Sequence, residues 1–68
     1  MGLEFIEVHS AGGAALYEAR TMSGQLVRLD VFHDYAQVQL GSGFVKRVAS
    51  EAEGRAYADS NWGRGSAL

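Results

Sequence analysis

Cysteine is absent from this chain of 68 residues, and histidine occurs only at His9 and His33. Disulfides are therefore excluded, and two histidines without cysteine cannot make an ordinary structural zinc site. Proline is also absent, which suits a chain made mostly of strand and helix. No apolar run approaches the roughly 18 residues of a membrane span, so none is expected. Met1-Gly2-Leu3-Glu4 lacks the basic start of a secretory signal, and a cytoplasmic location is the expectation. Positive charge is scarce: Lys and Arg total 6 against 8 Asp and Glu. That balance argues against a generic polyanion binder, which needs an excess of cations.

Length sets the next constraint. A chain this short buries only about 60% of its unfolded surface, so its own core leaves it marginal. With disulfides and structural metal excluded, association with a second copy is the cheapest remaining source of buried area. The composition, 47% hydrophobic and 21% charged, is that of a folded domain and not of a disordered tail. A single small domain is expected over 1–63, followed by a flexible tail over 64–68.

Three turn signals organise the first forty residues into an antiparallel meander in the order 1-2-3-4. Strands are expected over about 3–10, 14–21, 25–33 and 36–40. Gly12-Gly13 suits a type I′ hairpin, because glycine tolerates positive φ. That turn faces Val8 with Tyr17 and Ile6 with Ala19. Met22-Ser23-Gly24 fits a three-residue loop, which faces Tyr17 with Leu29, Ala19 with Val27, and Glu18 with Arg28. A two-residue Ser23-Gly24 turn would instead put Glu18 and Arg20 on the apolar side. An Asp34-Tyr35 turn faces Leu29 with Leu40 and Val31 with Val38. One sheet face is then apolar throughout.

After Gly41-Ser42-Gly43, residues 44–48 read as a short fifth strand in preference to the lead into a helix. Ser50-Glu51-Ala52-Glu53 is a capping box that starts a C-terminal helix. The helix is expected to stop near Trp62 with Gly63 as its C-cap, and to turn Ala52, Ala56 and Tyr57 to one side. Gly54 inside it permits close packing. Ala15, Ala19 and Ala36 are expected to form the trough that receives it. The fold class is thus α+β, with four or five strands and one helix on the Val27, Leu29, Val31 face.

No catalytic, cofactor or metal constellation stands out. The register sends His9 to the outer face and His33 to the core side, so they do not converge. Ser10 beside His9, and His33 beside Asp34, are strand neighbours whose side chains point apart. Glu51 and Glu53 belong to a helix start, and Gly41-Ser42-Gly43 lacks the Lys-Ser/Thr of a phosphate loop. Lys46-Arg47 reads as a solvated pair, and Trp62 as a cover for the open end of the core. The chain is expected not to be an enzyme.

The outer face is the informative surface. On this register it collects Leu3, Phe5, Leu16, Leu26 and Phe32 among Glu7, Glu18, Asp30, Arg20, Arg28, Gln37 and Gln39. Five large apolar side chains exceed what a soluble monomer usually exposes. They are covered either within the chain, by residues 44–49 or the tail, or by a partner. Phe5, Leu16, Arg20, Leu26, Arg28 and Phe32 are the expected interface to a protein partner, foremost a second copy. The alternative is single-stranded nucleic acid, with Phe5, Phe32 and Tyr35 as stacking platforms and Arg20 and Arg28 on phosphates; Glu7, Glu18 and Asp30 oppose it. In format alone, without a shared motif, the small acidic chain is similar to phage-encoded inhibitors that block host complexes, anti-CRISPR proteins among them. That likeness implies a small stoichiometric protein binder.

Overall fold

The computed structural model describes residues 2–63, and the expected tail over 64–68 lies outside them. Five strands precede one helix: β1 (Ile6–Ala11), β2 (Ala14–Arg20), β3 (Leu26–Val31), β4 (Ala36–Leu40), β5 (Phe44–Val48) and α1 (Glu51–Trp62). The strands form one antiparallel sheet in the order β1-β2-β3-β4-β5, with the helix on one face. The α+β meander is as the turn spacing predicts, and residues 44–48 are a strand.

Turn chemistry sets three of the four hairpins. Gly12 and Gly13 both have positive φ (58° and 81°), as a type I′ turn requires. In the next hairpin Gly24 has φ 91°, and Thr21 and Gln25 close the loop around it through the bond from the Thr21 amide to the Gln25 carbonyl, 2.9 Å. The three-residue loop therefore holds, and with it Tyr17 opposite Leu29, Ala19 opposite Val27 and Glu18 opposite Arg28. Gly41, at φ 60°, opens the loop that sets Leu40 opposite Phe44.

The β3–β4 hairpin departs from expectation. Its turn residues are His33 and Asp34, flanked by the bond from the Phe32 amide to the Tyr35 carbonyl, 2.8 Å. Val31 consequently faces Ala36, Leu29 faces Val38 and Val27 faces Leu40. The slip of two residues leaves every side chain on its expected face, because strand periodicity is two. What it gains is a stacked Phe32–Tyr35 pair across the hairpin end, with centroids 4.8 Å apart. It also moves His33 from the core side into an exposed turn.

The capping box forms with one change. The Glu53 amide donates to Ser50 Oγ at 3.2 Å, but the Glu53 carboxylate reaches the Ala49 amide, 2.7 Å, in place of the Ser50 amide. Gly54 and Ala58, one turn apart, are the buried positions of α1. Ala52 and Ala56 are exposed, contrary to expectation, and only Tyr57 of the expected trio turns partly inward. Gly54 decides that orientation, since it is the one residue with no side chain to hold the helix off the sheet. The helix seats on β3, β4 and β5, over a core of Val27, Leu29, Ala36, Val38, Val48 and Ala58. Of the expected alanine trough Ala36 belongs to this core and Ala19 is buried as well, while Ala15 is only half-buried. Trp62 closes one end, edge-on to Tyr57 at 5.7 Å and to Phe44 at 5.8 Å.

Candidate interaction surface

Five strands about 4.8 Å apart make a sheet about 24 Å wide, whereas a helix with side chains is about 10–12 Å across. One helix over β3–β5 leaves the inner face of β1 and β2 open. The chain closes that gap with its own N-terminal segment. Leu3 and Phe5 pack against the core, and the Leu3 amide donates to Asp59 Oδ1 at 2.7 Å. The Arg55 guanidinium lies over the rings of Phe5 (5.3 Å) and Tyr17 (4.9 Å) and pairs with Glu51 at 2.9 Å.

A β-bulge makes this possible. Ala11, Ser10 and His9 face Ala14, Ala15 and Leu16 as the Gly-Gly turn dictates, but Glu7 faces Tyr17 and Ile6 faces Glu18, with Val8 as the extra residue. An extra residue in one strand reverses the alternation on its far side. The expected pairs of Val8 with Tyr17 and Ile6 with Ala19 are therefore wrong. Leu3, Phe5 and Glu7 leave the outer face for the inner side, and Ile6 goes the other way. The exchange partly buries a phenylalanine and a leucine, for a fraction of the about 1.5–3 kcal/mol that each is worth when fully buried, at the expense of Ile6 and Val8, which are 66% and 53% exposed.

The outer face can now be read row by row from the register. Ile6, Glu18, Arg28, Gln39 and Val45 form one row; His9, Leu16, Asp30, Gln37 and Arg47 form the next. Phe32 and Tyr35 end the face on one side, and Arg20 with Leu26 on the other. Leu16, Arg20, Leu26, Arg28 and Phe32 thus share a face as expected, while Phe5 does not. Ile6, Val8 and Val45 are the additions. Val45 was legible in its pairing with Gln39, once residues 44–48 are taken as a strand; the bulge left no signal in the residues themselves.

Four large apolar side chains on this face stay exposed: Ile6 and Val8 as above, Phe32 at 37% and Val45 at 50%. Ile6, Val8 and Leu26 also line an open groove of about 410 Å³, bordered by Glu4, Glu18 and Arg20. The segment expected as an internal cover, residues 44–49, instead supplies the edge strand β5.

No family model, curated protein or solved structure matches this chain.

Among the described residues the charges of the outer face make no ion pair with one another. Glu18 stands directly opposite Arg28, yet the only ion pair among the described residues is the helical Arg55–Glu51 pair. Arg28 Nε is buried without a hydrogen-bond partner. Arg20 is occupied, donating from Nη1 to the Gly24 carbonyl at 2.9 Å. Lys46 and Arg47 point to opposite faces and make no joint patch: Lys46 lies over Tyr57 at 5.8 Å and Arg47 over Tyr35 at 4.3 Å. His9 is exposed on the outer face and His33 in its turn, so they do not converge. Among the described residues no group of three or more His, Cys, Asp or Glu side chains is placed to hold a metal.

Proposed function

We propose that this chain is a non-enzymatic protein-interaction module that binds through its outer sheet face, with a second copy of itself as the first partner. The observation that carries the reading is that four large apolar side chains, Ile6, Val8, Phe32 and Val45, all stay exposed on the face opposite the helix. Charge supports a self-complementary fit. A two-fold axis parallel to the strands, between β2 and β3, sets Glu18 of each copy against Arg28 of the other.

Area sets the strength. A face about 24 Å by about 20 Å offers roughly 500 Å² per copy, below the roughly 800 Å² of a standard interface. The dimer is therefore weak, with dissociation constants in the micromolar range. A blocking partner, as in a small stoichiometric inhibitor, uses the same face.

Nucleic acid is the less supported occupant. Tyr35 on the β4 side is flanked by Phe32 from the β3 side and by Arg47 from β5, so the ring is already stacked and the arginine already engaged. Phe5 is on the other face, and Arg20 is tied to its own hairpin.

Sedimentation velocity from about 1 to about 300 µM, spanning a micromolar constant, tests the reading. Wild type is expected to pass from monomer to dimer. Phe32→Glu and Ile6→Glu are expected to lose the face-to-face dimer with an unchanged far-ultraviolet spectrum. A wild type monomeric throughout, or variants that dimerise equally well, refutes the self-association. A labelled oligonucleotide that binds at low salt and is released by added salt overturns the protein reading in favour of nucleic acid.

A further inference from the structure

The sheet has two open edges, and they differ in charge. β1 carries Glu7 with Glu4 just before it, beside the apolar Ile6 and Val8, and all six of its residues are exposed. β5 carries Lys46 and Arg47 between Phe44 and Val45 on one side and Val48 on the other, and four of its five residues are exposed. An edge strand with free backbone groups is a template for another chain, and charge decides which one. Two β1 edges would bring acids together, and two β5 edges would bring cations together. Only unlike edges attract.

We infer that the edges meet in trans: β5 of one copy pairs alongside β1 of the next, continuing the sheet from chain to chain. Direction follows from topology. With five antiparallel strands, β1 and β5 run the same way, so a continued sheet with all helices on one face pairs them in parallel. Faces then match side by side. On the helix side Glu7, which faces Tyr17, comes beside Lys46, which faces Val38; on the outer side Ile6, which faces Glu18, comes beside Val45, which faces Gln39. The contact is heterologous, so the copies form either a closed ring or an open chain, and never a two-fold dimer. It runs along the strand edges, shares only Ile6 and Val45 with the outer face, and does not rest on the face dimer.

The experiment is sedimentation velocity at about 100 µM and low salt, where a micromolar contact is populated. The proteins are wild type, Glu7→Lys, Lys46→Glu, their equimolar mixture and the double variant. Wild type is expected to exceed a dimer, growing with concentration and shrinking with salt. Each single charge reversal is expected to weaken assembly by about tenfold, and both the mixture and the double variant to restore it. Should either reversal fail to fold by circular dichroism, Glu7→Gln and Lys46→Gln replace it, with loss of the salt dependence as the expected result. A wild type that never exceeds a dimer, or a double variant as weak as the singles, overturns the inference. Repeating the series in Phe32→Glu separates the two surfaces: edge assembly survives there, whereas the face dimer does not.

Discussion

Gly54→Ala reverses the ordinary expectation for a helix interior. Alanine is worth about 1 kcal/mol over glycine by propensity, so an exposed Gly54 would make this change stabilising. Here a Cβ at Gly54 meets Leu29 Cδ1 at 2.7 Å, and Val38 Cγ2 and Val48 Cγ2 at 3.4 Å each. Leu29 and Val38 are fully buried, so the leucine methyl has little room to withdraw. Overpacking of this kind costs about 1–3 kcal/mol, which outweighs the propensity gain. The net loss is about 1 kcal/mol, and for a chain of this size that lowers Tm by about 4–8 °C. Urea unfolding followed by circular dichroism reads it as a lower midpoint at unchanged slope. The decisive comparison is Gly54→Ala in a Leu29→Val background, which removes the opposing Cδ1. There the substitution is expected to be neutral or to stabilise by up to about 1 kcal/mol, a coupling of about 1–2 kcal/mol between the sites. If Gly54→Ala stabilises the wild-type chain, or costs the same in both backgrounds, the close helix–sheet approach argued above is wrong.

Three other perturbations test the turns and the bulge. Gly24→Ala meets nothing within 4 Å but forces alanine to φ 91°, for about 1–2 kcal/mol of backbone strain. Gly43→Ala, equally open and without positive φ, is expected to cost under about 0.5 kcal/mol, and equal losses at the two sites by urea titration would refute the assigned loop. Deleting Val8 removes the extra residue while leaving Glu7 opposite Tyr17 and His9 opposite Leu16, so the fold is expected to survive with Phe5 still against Arg55 and Tyr17. Nuclear Overhauser contacts from the Phe5 ring check this, and their disappearance in a folded deletion variant would contradict the bulge.

Much of the molecule is local chemistry and was legible in the chain. The Gly12-Gly13 and Met22-Ser23-Gly24 turns carry their own backbone geometry, which set the end of β1 against β2 as far as His9 and β2 against β3 residue by residue. Ser50 and Glu53 start the helix wherever it packs, and Gly41-Ser42-Gly43 separates β4 from β5. For the candidate surface, the same periodicity placed Leu16, Arg20, Leu26, Arg28 and Phe32 together.

What only the tertiary structure decided is how one narrow helix and a wide sheet share the apolar residues. Gly54 let the helix sink onto β3–β5, which turned Ala58 inward and Ala52 and Ala56 out. The uncovered strands then drew in Leu3 and Phe5, and a bulge at Val8 supplied the one-residue offset that this required. Strand alternation is symmetric between its two faces, so nothing within 3–10 says which set is buried; competition for a gap elsewhere in the molecule says it. That competition exposed Ile6 and Val8, and with them changed the surface on which any account of function rests.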